Sequence, residues 1–204
     1  MSFAQSRIIL DEQIRMHLLS DKHSTVYNIP LLYRLSQGFL SIQHLRGALQ
    51  QIAEKHAVLR TSLQLDSNSG DLTQHIQPKN ERDWFRFCIT LTSDENEKNS
   101  IEQIFMDEMA NQTYFNINQG QVCRCHIVRR HSSTNEIDDD LLSSGDWIIF
   151  NFHHVAFDGE SERIFLDELQ KFYSSEPNLP DNEEQTRLQY IDCELLISLK
   201  NEFQ

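Results

Sequence analysis

Two adjacent histidines, His153 and His154, close an apolar run in the stretch FNFHHVAFDGES (150–161), and Asp158-Gly159 follows four residues later. An imidazole titrates near neutrality, so one placed beside a substrate can accept a proton from an attacking amine, alcohol or thiol. One histidine of such a pair can be the base and the other a structural prop. WIIFNFHH reads as a strand in which Ile148, Phe150 and Phe152 share a face with His154, while Asn151 and His153 point the other way. The two imidazoles then leave the sheet on opposite sides and do not form a pair of ligands. Asp158-Gly159 predicts a sharp turn into the next helix, with Gly159 taking a positive φ. A buried Asp158 needs a cationic partner, for which Arg60 is the first choice and Arg7 the second. Two histidines at a strand end are also common as ordinary surface or core residues, so spacing alone does not settle catalysis.

The elements that must position these residues are legible as hydrophobic periods. Residues 3–19 carry a helical period through Ile8, Ile9, Gln13, Met16 and Leu19, and VYNIPLLYRLS (26–36) reads as a strand. SIQHLRGALQQIAEKHAVL (41–59) has Ser41 as N-cap and places Ile42, Leu45, Leu49, Ile52 and Ala53 on one face of an amphipathic helix. Residues 60–77 predict a hairpin around Asn-Ser-Gly-Asp. FRFCITLT (85–92), QVCRCHIVRR (121–130) and 146–154 predict strands, the last two separated by an acidic, serine-rich loop. Helices are expected over 99–112, through Ile101, Ile104, Phe105 and Met109, and over 160–173, through Phe165, Leu169, Phe172 and Tyr173. A loop at EPNLP and a last helix from about Gln185 complete the reading. Strands and helices mix without a strict βαβ rhythm, which predicts an α/β sandwich with a mixed sheet.

The 204 residues, 39% hydrophobic and 24% charged, suffice for one globular domain or for one lobe of a larger one. A net charge of −13, from 31 acidic and 18 basic side chains, disfavours nucleic acid and anionic membranes as general partners. No apolar run approaches the roughly 20 residues that span a bilayer, and the N-terminus does not read as a secretory signal. Cys88, Cys123, Cys125 and Cys193 form no CxxC pair, which favours reduced structural thiols in a cytoplasmic protein. Their spacing and that of the nine histidines give no support for a metal site.

HHVAFDG resembles the HHxxxDG motif of nonribosomal peptide synthetase condensation domains and of the wider chloramphenicol-acetyltransferase-like superfamily. Further stretches resemble other motifs of that family in its order. SFAQSRI (2–8) is similar to SxAQxR, EKHAVLRTSL (54–63) to RHExLRTxF, YFNINQGQVCRCHIV (114–128) to F-D-L-x-x-G-P-L-x-R, and LQYIDCELL (188–196) to YxDxA. Lys55 and Ala57 depart from the usual Arg and Glu, and Ile9 from the usual aromatic. The resemblance implies a chloramphenicol-acetyltransferase-like two-layer sandwich with a mixed β-sheet and flanking helices. A complete condensation domain has two similarly folded lobes with the active site between them, and residues 1–204 resemble its N-terminal lobe alone.

The implied activity is amide-bond formation between thioesters carried on the phosphopantetheine arms of carrier domains, with no cofactor bound directly by the lobe. Within it, His154 would orient or deprotonate the acceptor amine, His153 and Asp158 would hold the loop, and Gly159 would let the backbone approach the substrate arm. The implied partners are peptidyl or aminoacyl carrier domains, a C-terminal condensation lobe and an adenylation domain in the full polypeptide. Two alternatives stay open: a free-standing acyl-CoA acyltransferase that completes its site by oligomerisation, and a non-catalytic lobe that binds carrier domains. An isolated lobe is expected to be inactive.

Overall fold

A computed structural model describes residues 3–18, 27–66, 72–79, 83–92, 97–130 and 140–174. Its centre is a four-stranded mixed sheet of β1 (Asn28–Arg34), β8 (Trp147–His153), β6 (Cys123–Arg130) and β5 (Phe85–Thr92), in the order β1-β8-β6-β5. β8 runs antiparallel to both of its neighbours, whereas β5 and β6 are parallel. All seven residues of β8 are buried, as a central strand covered on both faces requires. Phe150 and Phe152 point to one side, where α4 (Gly159–Ser174) sets Phe165 edge-on against both at 5.0 Å. α2 (Ile42–Lys55) lies on that side too, adding Leu45, Leu49, Ile52 and Ala53 to the same core. Ile149 points to the opposite side and packs with Val128 and Trp147 against Ile101, Ile104 and Phe105 of α3 (Glu97–Ala110). The expected mixed sheet with flanking helices is therefore present.

Local chemistry explains why these elements start and stop where they do. Ser41 caps α2, its Oγ accepting from the His44 amide at 3.1 Å, as its residue type predicts. Arg60, 6% exposed, closes the same helix from the other end. Its guanidinium donates to the carbonyls of Ala53 (3.0 Å) and Glu54 (3.4 Å), and also to that of Gln77. The cation meets the last carbonyls of α2, where the helix dipole is negative. It also ties α2 to the hairpin of β3 (Thr61–Leu65) and β4 (Leu72–Ile76), which pair from Thr61↔Ile76 to Leu65↔Leu72. Lys55 reaches across to Glu168 and joins α2 to α4.

Two features depart from the sequence reading. The segment expected to be a loop before β8 contains β7 (Leu141–Ser143), which pairs with the short β2 (Phe39–Ser41). Three-residue strands carry too little periodicity to be recognised alone. The left-handed glycine near the site is Gly120 (φ 70°), not Gly159, which is the first residue of α4. A side chain at Gly120 would come within 3.2 Å of the Ser62 amide nitrogen and 3.3 Å of the Arg60 carbonyl, so this turn fits only glycine. The expected Asn-Ser-Gly-Asp turn (68–71), the EPNLP loop, the last helix, Cys193 and the LQYIDCELL stretch lie outside the described residues.

Candidate active site

The end of β8 and the turn that follows separate the two histidines by environment. The His153 amide donates to the Val122 carbonyl at 2.9 Å and the His154 amide to the Tyr27 carbonyl at 2.8 Å. Val155, Ala156 and Phe157 are buried, and Phe157 stacks on Phe152 at 3.9 Å with 7° between the rings. The three residues between the histidines and Asp158 thus plug the turn into the core.

His153 is 2% exposed and packs edge-on against Phe115 at 5.7 Å. The Val155 amide donates to its Nδ1 at 3.2 Å, so the neutral ring carries its proton on Nε2. That nitrogen lies 3.4 Å from Oε1 of Glu12 on α1 (Phe3–Leu18). His154 is exposed, and its Nδ1 lies 3.0 Å from the Phe157 carbonyl. A carbonyl only accepts, so Nδ1 is the donor and Nε2 keeps a free lone pair. The turn therefore holds one imidazole as a buried strut and presents the other with a basic nitrogen directed away from its own backbone anchor.

Asp158 does not meet either arginine. It is exposed and caps α4: its Oδ1 accepts from the Ser161 amide at 3.0 Å and from the Ser161 hydroxyl at 2.6 Å. The Asp158 amide takes a reciprocal bond to Ser161 Oγ at 3.3 Å. The Ser161 hydroxyl and amide hold the Asp158 carboxyl below its usual range against a small opposing effect of burial, with His154 helping. Arg60 is occupied by carbonyls, and Arg7 is exposed on α1, where its charge acts on Asp11. The expectation failed because an Asp-Gly at the start of a helix satisfies its carboxylate locally, with no need for a distant cation. At Gly159 an added Cβ would meet nothing within 4 Å among the described residues, which leave the backbone there open to approach.

Several residues at the site were not singled out by sequence. Tyr27 flanks both imidazoles, its ring 6.2 Å from His153 and 6.3 Å from His154, and its hydroxyl donates to Asp11 on α1. Burial first, and then the Asp11 carboxylate, push the Tyr27 hydroxyl pKa up. Beneath the sheet, Glu108 is fully buried and accepts from Arg124 Nε, His126 Nδ1 and Asn151 Nδ2, each at 2.8 Å. Its backbone carbonyl accepts from Asn28 (2.9 Å) and Asn151 (2.8 Å), so one residue of α3 joins β1, β6 and β8 near the site. Burial pushes the Glu108 carboxyl up, but the bonds from His126, Asn151 and Arg124 outweigh it and leave it below the usual glutamate range. The available signal was polar residues inside apolar strands: Asn151 in WIIFNFHH, and Arg124 and His126 alternating with cysteines on β6.

Beside the turn lies an apolar groove of about 120 Å³, lined by Ile52, Leu59, Phe157, Ile164 and Phe165 and by His56, whose Nε2 is buried without a partner among the described residues. Cys88, Cys123 and Cys125 are free thiols, and burial pushes those of Cys123 and Cys125 far up, which makes them inert packing groups. Among the described residues no His, Cys, Asp or Glu group is arranged to hold a metal, and no helix is long and apolar enough to cross a membrane.

A mixed sheet with flanking helices thus ends in an exposed histidine next to a buried one. The chain belongs to the condensation-domain family, whose profile matches residues 4–204. It is 28% identical over 182 residues to surfactin synthase subunit 1 of Bacillus subtilis (strain 168), covering 88% of this chain and 4% of that protein. It is 32% identical over 176 residues to the fusarin C synthetase of Gibberella moniliformis, covering 86% of this chain and again 4% of the relative. The fold is shared with the starter condensation domain of rhizomide synthetase (TM-score 0.58, 19% identity, 100% of this chain and 43% of that one). It is shared equally with the epimerization domain from the third module of tyrocidine synthetase B (TM-score 0.60, 19% identity, 88% and 37%). The chain thus spans a small fraction of its curated relatives and less than half of these solved domains.

Proposed function

We propose that this chain is the N-terminal, histidine-bearing lobe of a condensation domain, forming an amide between two thioesters held on the phosphopantetheine arms of carrier domains. The observation that carries this reading is His154: exposed, with Nδ1 tied to the Phe157 carbonyl at 3.0 Å and Nε2 without a partner among the described residues, within the frame HHVAFDG. Because an epimerization domain has the same fold, the fold does not choose the reaction, and the side chains at the site must. An acceptor amine approaching Nε2 meets a group able to orient its lone pair or take its proton as the tetrahedral centre forms. The thioester supplies the driving force, and the proton accepted at Nε2 passes to the departing thiolate.

His153 and Asp158 serve the turn rather than the reacting atoms, and the open backbone at Gly159 leaves room for a substrate arm. A second lobe closes the exposed face of His154, and the partners are carrier domains of a multidomain synthetase with an adenylation domain. The test is His154→Ala in the two-lobed protein, supplied with loaded donor and acceptor carriers and followed by mass spectrometry of the product. Loss of amide formation with an unchanged melting temperature is expected, and product at a near-parental rate would refute the assignment. Turnover of an acyl-CoA by an oligomer of the chain alone would favour the free-standing acyltransferase instead.

A further inference from the structure

The first helix lies far from the histidine motif in sequence, yet it touches the turn at every level. Gln5 Nε2 donates to the Val155 carbonyl at 3.3 Å, and Glu12 Oε1 lies 3.4 Å from His153 Nε2. Residues 5 and 12 are seven apart, two helical turns, so they share one face, and Ile8 and Ile9 lie between them on that face. Ile9 is buried in the main core and Ile8 packs against it, which anchors the helix. Asp11, one residue before Glu12, accepts from the Tyr27 hydroxyl and from Arg15 at 2.6 Å. Tyr27 in turn accepts the His154 amide on its carbonyl.

We infer that Glu12 is a positioning residue for the reaction, fixing the His153 ring from α1 and thereby the turn that presents His154, with Gln5 as its companion on Val155. This rests on the function proposed above. His153 is the pivot because both of its ring nitrogens are engaged: Nδ1 accepts from the Val155 amide and Nε2 donates to Glu12. Its other ring neighbours, Phe115 and Tyr27, offer faces and edges that pack the ring without fixing its rotation. Without Glu12 the buried Nε2–H loses its acceptor, and the ring no longer holds Val155 in place. The displaced turn would carry the His154 anchor at Phe157 with it. An error of about 1 Å at a reacting group costs on the order of a hundredfold in rate, whereas it changes substrate affinity little.

The experiment has two arms, on Glu12→Ala, Glu12→Gln and Gln5→Ala. Glutamine keeps an acceptor oxygen at the same reach, so E12Q is the rescue control. In the 204-residue chain, hydrogen exchange of the Val155 and Ala156 amides should accelerate about tenfold in E12A and Q5A while staying within about twofold of the parent in E12Q. Histidine side-chain nitrogen spectra should show the Nε2–H tautomer of His153 sharp in the parent and E12Q, and broadened in E12A. In the two-lobed protein, E12A should lower kcat at least about tenfold with KM within about twofold, and E12Q should restore most of the loss. E12A with parental exchange at 155–156 and parental kcat would overturn the inference. So would an E12Q variant as impaired as E12A, because the carboxylate charge rather than its acceptor oxygen would then be at work. If the parental two-lobed protein itself makes no amide, the proposed function fails while the exchange and tautomer arm still decides whether Glu12 positions the turn.

Discussion

Adjacent histidines of identical chemistry are given different work by their surroundings. Among the described residues His153, buried between Phe115 and Tyr27, has a partner for each nitrogen, and His154 has a partner for one. Removing the exposed ring gives up only its bond to the Phe157 carbonyl and its contact with Tyr27, and should cost no more than about 0.5 kcal/mol. Asp158 makes a contrasting prediction. As the N-cap of α4 it is worth about 1 kcal/mol. Asp158→Ala should therefore lower the melting temperature by only about 2–4 °C in a domain of this size. A thermal melt showing a far larger drop would mean that the carboxylate has a buried partner after all. Ser161→Ala deletes the two hydroxyl bonds but keeps the Ser161 amide on Asp158 Oδ1, so it should lower the melting temperature less than Asp158→Ala does.

Between elements, the largest single commitment is Glu108. One carboxylate of α3 satisfies Arg124 and His126 on β6 and Asn151 on β8, all in the interior. Glu108→Ala would leave a buried guanidinium without its counter-ion, at a cost of about 3–5 kcal/mol, readable as a shift of the urea midpoint. The same network predicts acid sensitivity. The folded-state pKa of Glu108 lies below its unfolded value, so its contribution is complete above the ordinary glutamate range. It is lost as pH falls through the folded-state pKa, where the folded carboxylate must finally take up a proton. A urea-denaturation series from neutral to acid pH should show this loss in the parent and a flatter profile in Glu108→Gln. On the other face of the sheet, Phe165 contacts Phe150 and Phe152, and Phe165→Ala should cost about 3–5 kcal/mol through the cavity it leaves.

For the whole molecule, the open setting of His154 and the −13 charge act in the same direction. Under the proposed function, an exposed imidazole would work in high dielectric, where every electrostatic contribution to a transition state is weak, and a substrate arm there would be held on one side only. The chain alone is therefore expected to fold but not to join carrier-bound substrates. The check is a condensation assay in trans with two loaded carriers, run beside analytical ultracentrifugation. Turnover by a strictly monomeric chain would sink the argument that a second lobe is needed. Encounter with an acidic carrier should also speed up with salt, because screening removes the repulsion between like charges. Val58 and Ile164, 40% and 46% exposed beside the groove, give the chain apolar surface through which self-association is expected at high concentration.

Features that repeat with a local period or cap themselves could be read along the chain. α2 with its Ser41 cap, the two faces of β8, β5 over Phe85–Thr92 and the apolar stripe of α4 all follow from side-chain spacing, because neighbours along the chain set it. The histidine pair was visible for the same reason, and so was the family resemblance. Which residues meet across the fold follows from packing between distant segments. Arg60 could be read as a cation in need of an acceptor, but not that carbonyls of the preceding helix α2 would take it and leave Asp158 to Ser161. Glu108 was hidden among the acidic residues of α3 until the sheet brought Arg124, His126 and Asn151 to it. Glu12 sits 141 residues from His153. No local rule encodes that distance, because contacts of high sequence separation arise only when burial of separate apolar faces brings their polar neighbours together.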